Sequence, residues 1–276
     1  VNKALTTADR DYLLTDLDQM IKWGQEVIRL MRQAFEQNPA YFTHFATIRS
    51  NFLSLLRADG ALDLYHGGLR AKNRRGGLVF DHIDYQRYFL IIHEQVKSWS
   101  YMKFPFICSL GPDKGWYRVG PLARINNCDF IPTLLAEEER HQFMAMGRGQ
   151  PIHATLAYHW ARMIELLYSA EAIKELLHDP DILGGELVVR GEMAQEGIGV
   201  VEAPRGTLFD HLCQRRLQHP RDFGRQRTHG FGAHGMGELR LIRRRGREVQ
   251  AFDLHRRLAH AVGDDDDIRD FAALEA

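Results

Sequence analysis

Leu156-Ala157-Tyr158-His159-Trp160-Ala161-Arg162-Met163-Ile164-Glu165-Leu166-Leu167 carries the strongest helical pattern of the chain. Leu156, Trp160, Met163, Ile164 and Leu167 recur three or four apart, Ile173, Leu176 and Leu177 continue the stripe, and Asp179-Pro180 stops the run. The spacing predicts a helix over about 153–178. A second helix is predicted at the start, where Thr6 and Asp9 can take free backbone N–H groups. Its stripe runs through Leu13, Leu17, Met20, Ile21, Val27, Ile28, Met31, Ala34 and Phe35, and Asn38-Pro39 ends it. Tyr85, Tyr88, Phe89, Ile92, Val96 and Trp99 predict a third helix over about 85–99, and 134–147 a weakly patterned fourth. Phe52–Leu56 reads as a strand, followed by a turn at Ala58-Asp59-Gly60 and by Leu62 and Leu64 alternating with Asp63 and Tyr65. The segment 103–130 reads as irregular with short strands, and 187–189 and 197–201 as further short strands. Helices with a minor sheet component make the expected fold class α+β rather than doubly wound.

Composition narrows the function. The 276 residues are 45% hydrophobic and 26% charged, ordinary values for a globular protein, which excludes a fully disordered or fibrous chain. Lys+Arg (36) balances Asp+Glu (36), so the overall charge gives no footprint for nucleic acid or acidic lipid. The longest apolar run, around Tyr88–Ile92, falls far short of the roughly 20 residues of a membrane helix, and no basic start with an apolar core marks a secretory leader. Cys108, Cys128 and Cys213 are too few and too scattered for a disulfide scaffold or a Cys-x-x-Cys site, so a reducing, cytoplasmic setting is expected. Val1 suggests a processed chain or a fragment. The average also hides a break: the last lysine is Lys174, and beyond Asp210 the basic residues are arginine and histidine. Arg240, Arg243, Arg244, Arg245 and Arg247 precede an acidic block, Asp264–Asp267. We therefore divide the chain into 1–209 and a tail, 210–276, expected to be disordered or to result from a shifted reading frame in a GC-rich gene.

Most motifs have plain readings. Gly230-Phe231-Gly232-Ala233-His234-Gly235 matches G-x-G-x-x-G, but Arg225–His229 before it cannot be a central strand, so a dinucleotide site is not expected. The arginine run lacks aromatic interleaving, and a nucleic-acid-binding reading rests on 210–276 alone. His153 and His159 are six apart and cannot chelate together, and His141 belongs to a charged helix face. Glu202-Ala203-Pro204-Arg205-Gly206 is more informative. Pro204 fixes its own φ and extends Ala203, leaving Arg205 little backbone freedom at a strand end. Such a guanidinium can pair with a carboxylate, clamp an anion or sit over a reaction centre. Taken alone, it reads as a structural ion pair.

Five stretches change that weighting when taken in order. They are Tyr65-His66-Gly67-Gly68-Leu69-Arg70, Trp99–Pro105, Gly120-Pro121-Leu122-Ala123-Arg124, Tyr158–Glu165 and Glu202–Gly206. Over about 1–209 the chain resembles the large subunit of nickel–iron hydrogenases, most similarly that of the NAD-reducing, bidirectional type. The resemblance implies a helix-rich α+β fold, here incomplete at both ends. It also implies a Ni–Fe(CN)2(CO) centre held by four cysteines in two C-x-x-C pairs. Implied partners are a small subunit with iron–sulfur clusters and diaphorase subunits carrying FMN and NAD.

This chain departs from that pattern, because it contains no C-x-x-C. No metal ligand is carried over, and Cys108, Cys128 and Cys213 are read as ordinary thiols. By resemblance, Arg205 matches the arginine over the open Ni–Fe site, Pro204 helps wall the pocket and Glu202 orients the strand end. The expected function is heterolytic H2 cleavage coupled to NAD+ reduction, with the chain inactive as it stands. The alternative is a non-catalytic relative that keeps the fold and the small-subunit interface.

Overall fold

A computed structural model describes residues 4–184, 187–188, 191, 194–213 and 229–231. Helix α1 (Thr7–Gln37) opens with the expected capping box, in which Thr6 and Asp9 satisfy each other's backbone N–H groups. A short α2 (Pro39–His44) follows. Strands β1 (Asn51–Leu56), β2 (Gly68–Lys72), β3 (Leu78–Ile83) and β6 (Tyr117–Arg118) form the sheet that carries the fold, in the order β3-β2-β1-β6. β1 pairs antiparallel with β2 and parallel with β6. Every residue of β1 is buried, because the strand is covered on both faces. Phe52 and Leu56 point into a core shared with the helices, and Leu53 and Leu55 into a second core on the other side.

The helical layer consists of α1, α5 (Pro121–Asn127), α6 (Leu134–Ala145) and α7 (Ala157–His178). α1 lies along α7 with Gly24 against Leu167, where a Cβ would sit 3.4 Å from Leu167 Cδ1. α7 buries Trp160, Ala161, Ile164 and Leu167, whereas Ile173 and Leu176 of the expected stripe are exposed. Two stretches before residue 103 differ from the sequence reading. Residues 85–99 form no single helix: a 3-10 turn (Tyr85–Arg87) and one turn of helix, α3 (Tyr88–Ile91), lead into strand β4 (Ile92–Val96). β4 pairs antiparallel with β5 (Lys103–Ile107), and that ladder overrides the helical spacing. Leu62–Tyr65 forms no strand, because the Asp63 carboxylate takes the N–H groups of Tyr65 (2.7 Å) and His66 (2.8 Å) in a local turn. Within 103–130, the expected irregular segment, a one-turn α4 (Gly111–Lys114) and the buried helix α5 accompany β5 and β6.

The described residues end with the antiparallel hairpin β7 (Glu196–Ala203) and β8 (Gly206–Cys213), edged by β9 (His229–Phe231). The composition break at Asp210 thus falls inside β8. Leu187 and Val188 are not in a strand. The arginine run, the acidic block and Gly232–Gly235 lie outside the described residues, as does Val189. Among the described residues no helix is long and apolar enough to cross a membrane.

Candidate functional site

The β7–β8 hairpin pairs Ala203 with Gly206, so its loop is Pro204-Arg205. Two-residue hairpin loops favour turns whose first residue has positive φ, which proline cannot adopt. Contacts from outside the hairpin hold the turn instead. Arg124 Nη1 donates to the Ala203 carbonyl at 3.0 Å, and Arg162 Nη1 donates to the Pro204 carbonyl at 2.7 Å. Gly120, at the N-cap of α5 with φ +83°, lies so close that a Cβ there would meet the Arg205 carbonyl oxygen at 2.7 Å. The Glu202 amide donates to the Leu64 carbonyl at 2.9 Å, tying the turn to the segment before Tyr65–Arg70. Arg205 is itself exposed, and its side chain has no hydrogen-bond or ion-pair partner among the described residues. Pro204 is also exposed.

Beneath the turn is a buried charge cluster. Arg124, with a side chain 1% exposed, grips Glu165 through two hydrogen bonds of 2.5 and 2.6 Å. Its Nη1 also reaches Glu202 Oε2 at 2.8 Å, and the Glu202 side chain is fully buried. Glu202 Oε1 accepts from the Leu55 amide (2.7 Å) and the Thr207 hydroxyl (2.8 Å). Burial works against the Arg124 charge, but the two carboxylates outweigh it and raise its pKa. Burial also pushes the Glu202 carboxyl above its ordinary range. The Arg124 charge and the hydrogen bonds from the Leu55 amide and the Thr207 hydroxyl oppose that shift without cancelling it.

Three of the five ordered stretches meet here. Arg124 comes from α5, Tyr158, Arg162 and Glu165 from α7, and the Tyr158 hydroxyl donates to the Val119 carbonyl at 3.0 Å. Arg70, from the Tyr65–Arg70 stretch, forms a second cluster of the same kind. It pairs with Asp81 at 2.7 and 2.9 Å and with Asp129 at 2.9 Å, and donates to the Asn127 carbonyl at 3.1 Å. The fifth stretch, Trp99–Pro105, instead forms the β4–β5 hairpin, with Trp99 (75%) and Tyr101 (81%) exposed. Arg124, Arg162 and Glu165 belong to the ordered motifs, yet nothing local marks them as site residues. Their link to Glu202 spans 37 to 78 residues, a relation that local spacing does not encode.

Among the described residues no group of three or more His, Cys, Asp or Glu side chains is arranged to hold a metal. Cys108 and Cys128 are free and buried, and burial pushes their thiols up to about 11 and about 12. A metal ligand must be a thiolate, so these two are poorly suited to the task. His153 stacks on Phe52 with 5.0 Å between ring centroids, and His141 pairs with Glu137 on α6. Both are structural.

Fold and motif order place this chain with proteins like the large subunit of nickel–iron hydrogenases. It is 40% identical over 222 residues to the NAD-reducing hydrogenase HoxS subunit beta of Cupriavidus necator, covering 76% of this chain and 45% of that protein. It is 39% identical over 212 residues to a subunit of the vhu F420-non-reducing hydrogenase of Methanococcus voltae, covering 76% of this chain and 49% of that protein. Among solved structures, an NAD+-reducing [NiFe]-hydrogenase in the H2-reduced state superposes with a TM-score of 0.73 at 42% identity, covering 77% of this chain and 47% of the other. The chain therefore spans about half the length of the curated relatives it matches. No family model matches it.

Proposed function

We propose that residues 1–209 are the hydrogenase-like body of a large subunit of an NAD-reducing nickel–iron hydrogenase, and that 210–276 is a divergent tail. In this reading Arg205 presents a fixed positive charge to the hydrogen-activating centre, Pro204 walls it, and Glu202 anchors the turn from below. The observation that carries the reading is the convergence of three ordered motifs on a braced turn whose arginine has no partner among the described residues. The proposed setting is cytoplasmic. The proposed partners are an iron–sulfur small subunit together with FMN- and NAD-carrying diaphorase subunits.

The residues of this chain do not fit a Ni–Fe(CN)2(CO) centre. Such a centre calls for soft thiolate ligands, yet the chain has no C-x-x-C and its described cysteines are buried thiols. These residues therefore support no chemical step through that centre, and the chain is proposed to be inactive by itself. The purified chain is expected to hold no nickel and to show no H2-driven reduction of NAD+ or of a dye. Stoichiometric nickel with activity would overturn this. Because the buried charge clusters stand without thiolates, a non-catalytic relative is the second reading. Sequencing the flanking DNA separates the two: C-x-x-C codons in another frame favour a broken gene, and their absence favours the structural relative.

A further inference from the structure

We infer that Arg162 and Arg124 are positioning residues that fix Arg205 by gripping the two carbonyls before it. The inference rests on the reading of Arg205 as the functional group of the turn. Pro204 denies the loop the backbone conformations that hairpins favour, so the turn depends on outside donors. Those donors come from two helices. Arg124, locked by Glu165, takes the Ala203 carbonyl, and the half-buried Arg162, one helical turn before Glu165, takes the Pro204 carbonyl. Gly120 closes the third side against the Arg205 carbonyl. A guanidinium can hold a carboxylate and a carbonyl at once because its donors fan out in one plane. The exposed Arg205 side chain then leaves a backbone that cannot swing.

Limited trypsin digestion of the 276-residue chain tests this without any hydrogenase assay. Cleavage is followed by mass spectrometry at Arg205–Gly206, with the exposed Arg148–Gly149 bond as an internal reference. Arg162→Ala is expected to speed cleavage after Arg205 by about tenfold or more relative to the reference, since losing a charged donor lets the turn open more often. Arg162→Lys, which keeps a cationic donor, should restore most of the resistance. Arg124→Ala would strand two buried carboxylates and could unfold the chain, so the test rests on Arg162, with circular dichroism confirming an unchanged melting temperature. Equal cleavage in wild type and Arg162→Ala, or acceleration of the same size at both bonds, would overturn the inference. Nickel binding with activity would overturn the proposed inactivity instead, leaving the trypsin result untouched.

Discussion

Replacing Arg124 by methionine removes the centre of the buried charge cluster while keeping an unbranched side chain. Four hydrogen bonds go with it: two to Glu165, one to Glu202 and one to the Ala203 carbonyl. What remains is two carboxylates without their cation, one of them fully buried. Breaking a buried pair by deleting one partner costs about 3–5 kcal/mol, most of it the penalty of the stranded charge. Against a total stability of about 5–15 kcal/mol, that is about a fifth or more. At about 2–4 °C per kcal/mol for a chain of this size, the melting temperature should fall by roughly 6–20 °C. Urea unfolding at pH 7, followed by tryptophan fluorescence, measures the loss. The triple variant Arg124→Met, Glu165→Leu, Glu202→Gln should recover most of it, because an apolar or neutral set carries no stranded charge. A single variant within about 1 kcal/mol of wild type, or a triple variant no better than the single, would refute the reasoning.

Two further predictions concern pH and packing. His153 takes the Ser50 amide on Nδ1 (3.4 Å) and donates from Nε2 to the Arg74 carbonyl (2.8 Å), so it is neutral in the fold. Burial lowers its pKa below 6.5, with Arg118 and Arg49 adding to the shift. The unfolded chain therefore binds the extra proton first, and stability is lost as pH falls below about 6.5, by at most about 1.4 kcal/mol per pH unit. His153→Phe should flatten that slope in urea midpoints taken between pH 5 and 7.5, and an unchanged slope would clear His153 of the effect. Gly120→Ala places a methyl group 2.7 Å from the Arg205 carbonyl at positive φ and should cost about 1–3 kcal/mol. Gly24→Ala meets the flexible end of Leu167 at 3.4 Å and its Cα and Cβ at an ordinary 3.8 Å, and gains helix propensity, so it should stay within about 1 kcal/mol of wild type. Equal melting temperatures for the two variants would count against the close approach at Gly120.

The ends of the long helices were legible because their signals are local: the Thr6–Asp9 box, Asn38-Pro39 and Asp179-Pro180 each act within a turn of chain. Residues 85–99 misled because apolar side chains three and four apart also fit a short turn followed by a strand. Tyr88, Ile91 and Ile92 are buried there, while Val96 and Trp99 stand out in solvent, and only pairing with 103–107 decides the difference. The Asp63 turn hid behind an alternating pattern for a related reason, since one carboxylate capturing two amides outweighs the alternation of Leu62 and Leu64. At the candidate site, the rigidity of Ala203–Gly206 could be read from Pro204 and its neighbours. The two arginines that brace it could not, because each looked like an ordinary charged residue of its helix until the fold brought α5 and α7 to the turn.

That bracing also explains why the fold keeps charge in its interior. An apolar set of similar volume could stabilise these helices and strands as well as a guanidinium between two carboxylates does. Apolar packing, however, is non-directional, and it cannot hold the Ala203 carbonyl at 3.0 Å while fixing Glu202 and Glu165. The Arg70 cluster repeats the device, joining β2 to β3 and to the end of α5 through Asp81, Asp129 and the Asn127 carbonyl. α5 is therefore anchored by two buried guanidinium groups, its own Arg124 at mid-helix and Arg70 at its last carbonyl. A rigid α5 in turn fixes Gly120, whose close approach sets where the Arg205 carbonyl can lie. The charge clusters thus act on the site through geometry: they hold the turn's backbone in place so that Arg205 need carry no structural contact of its own.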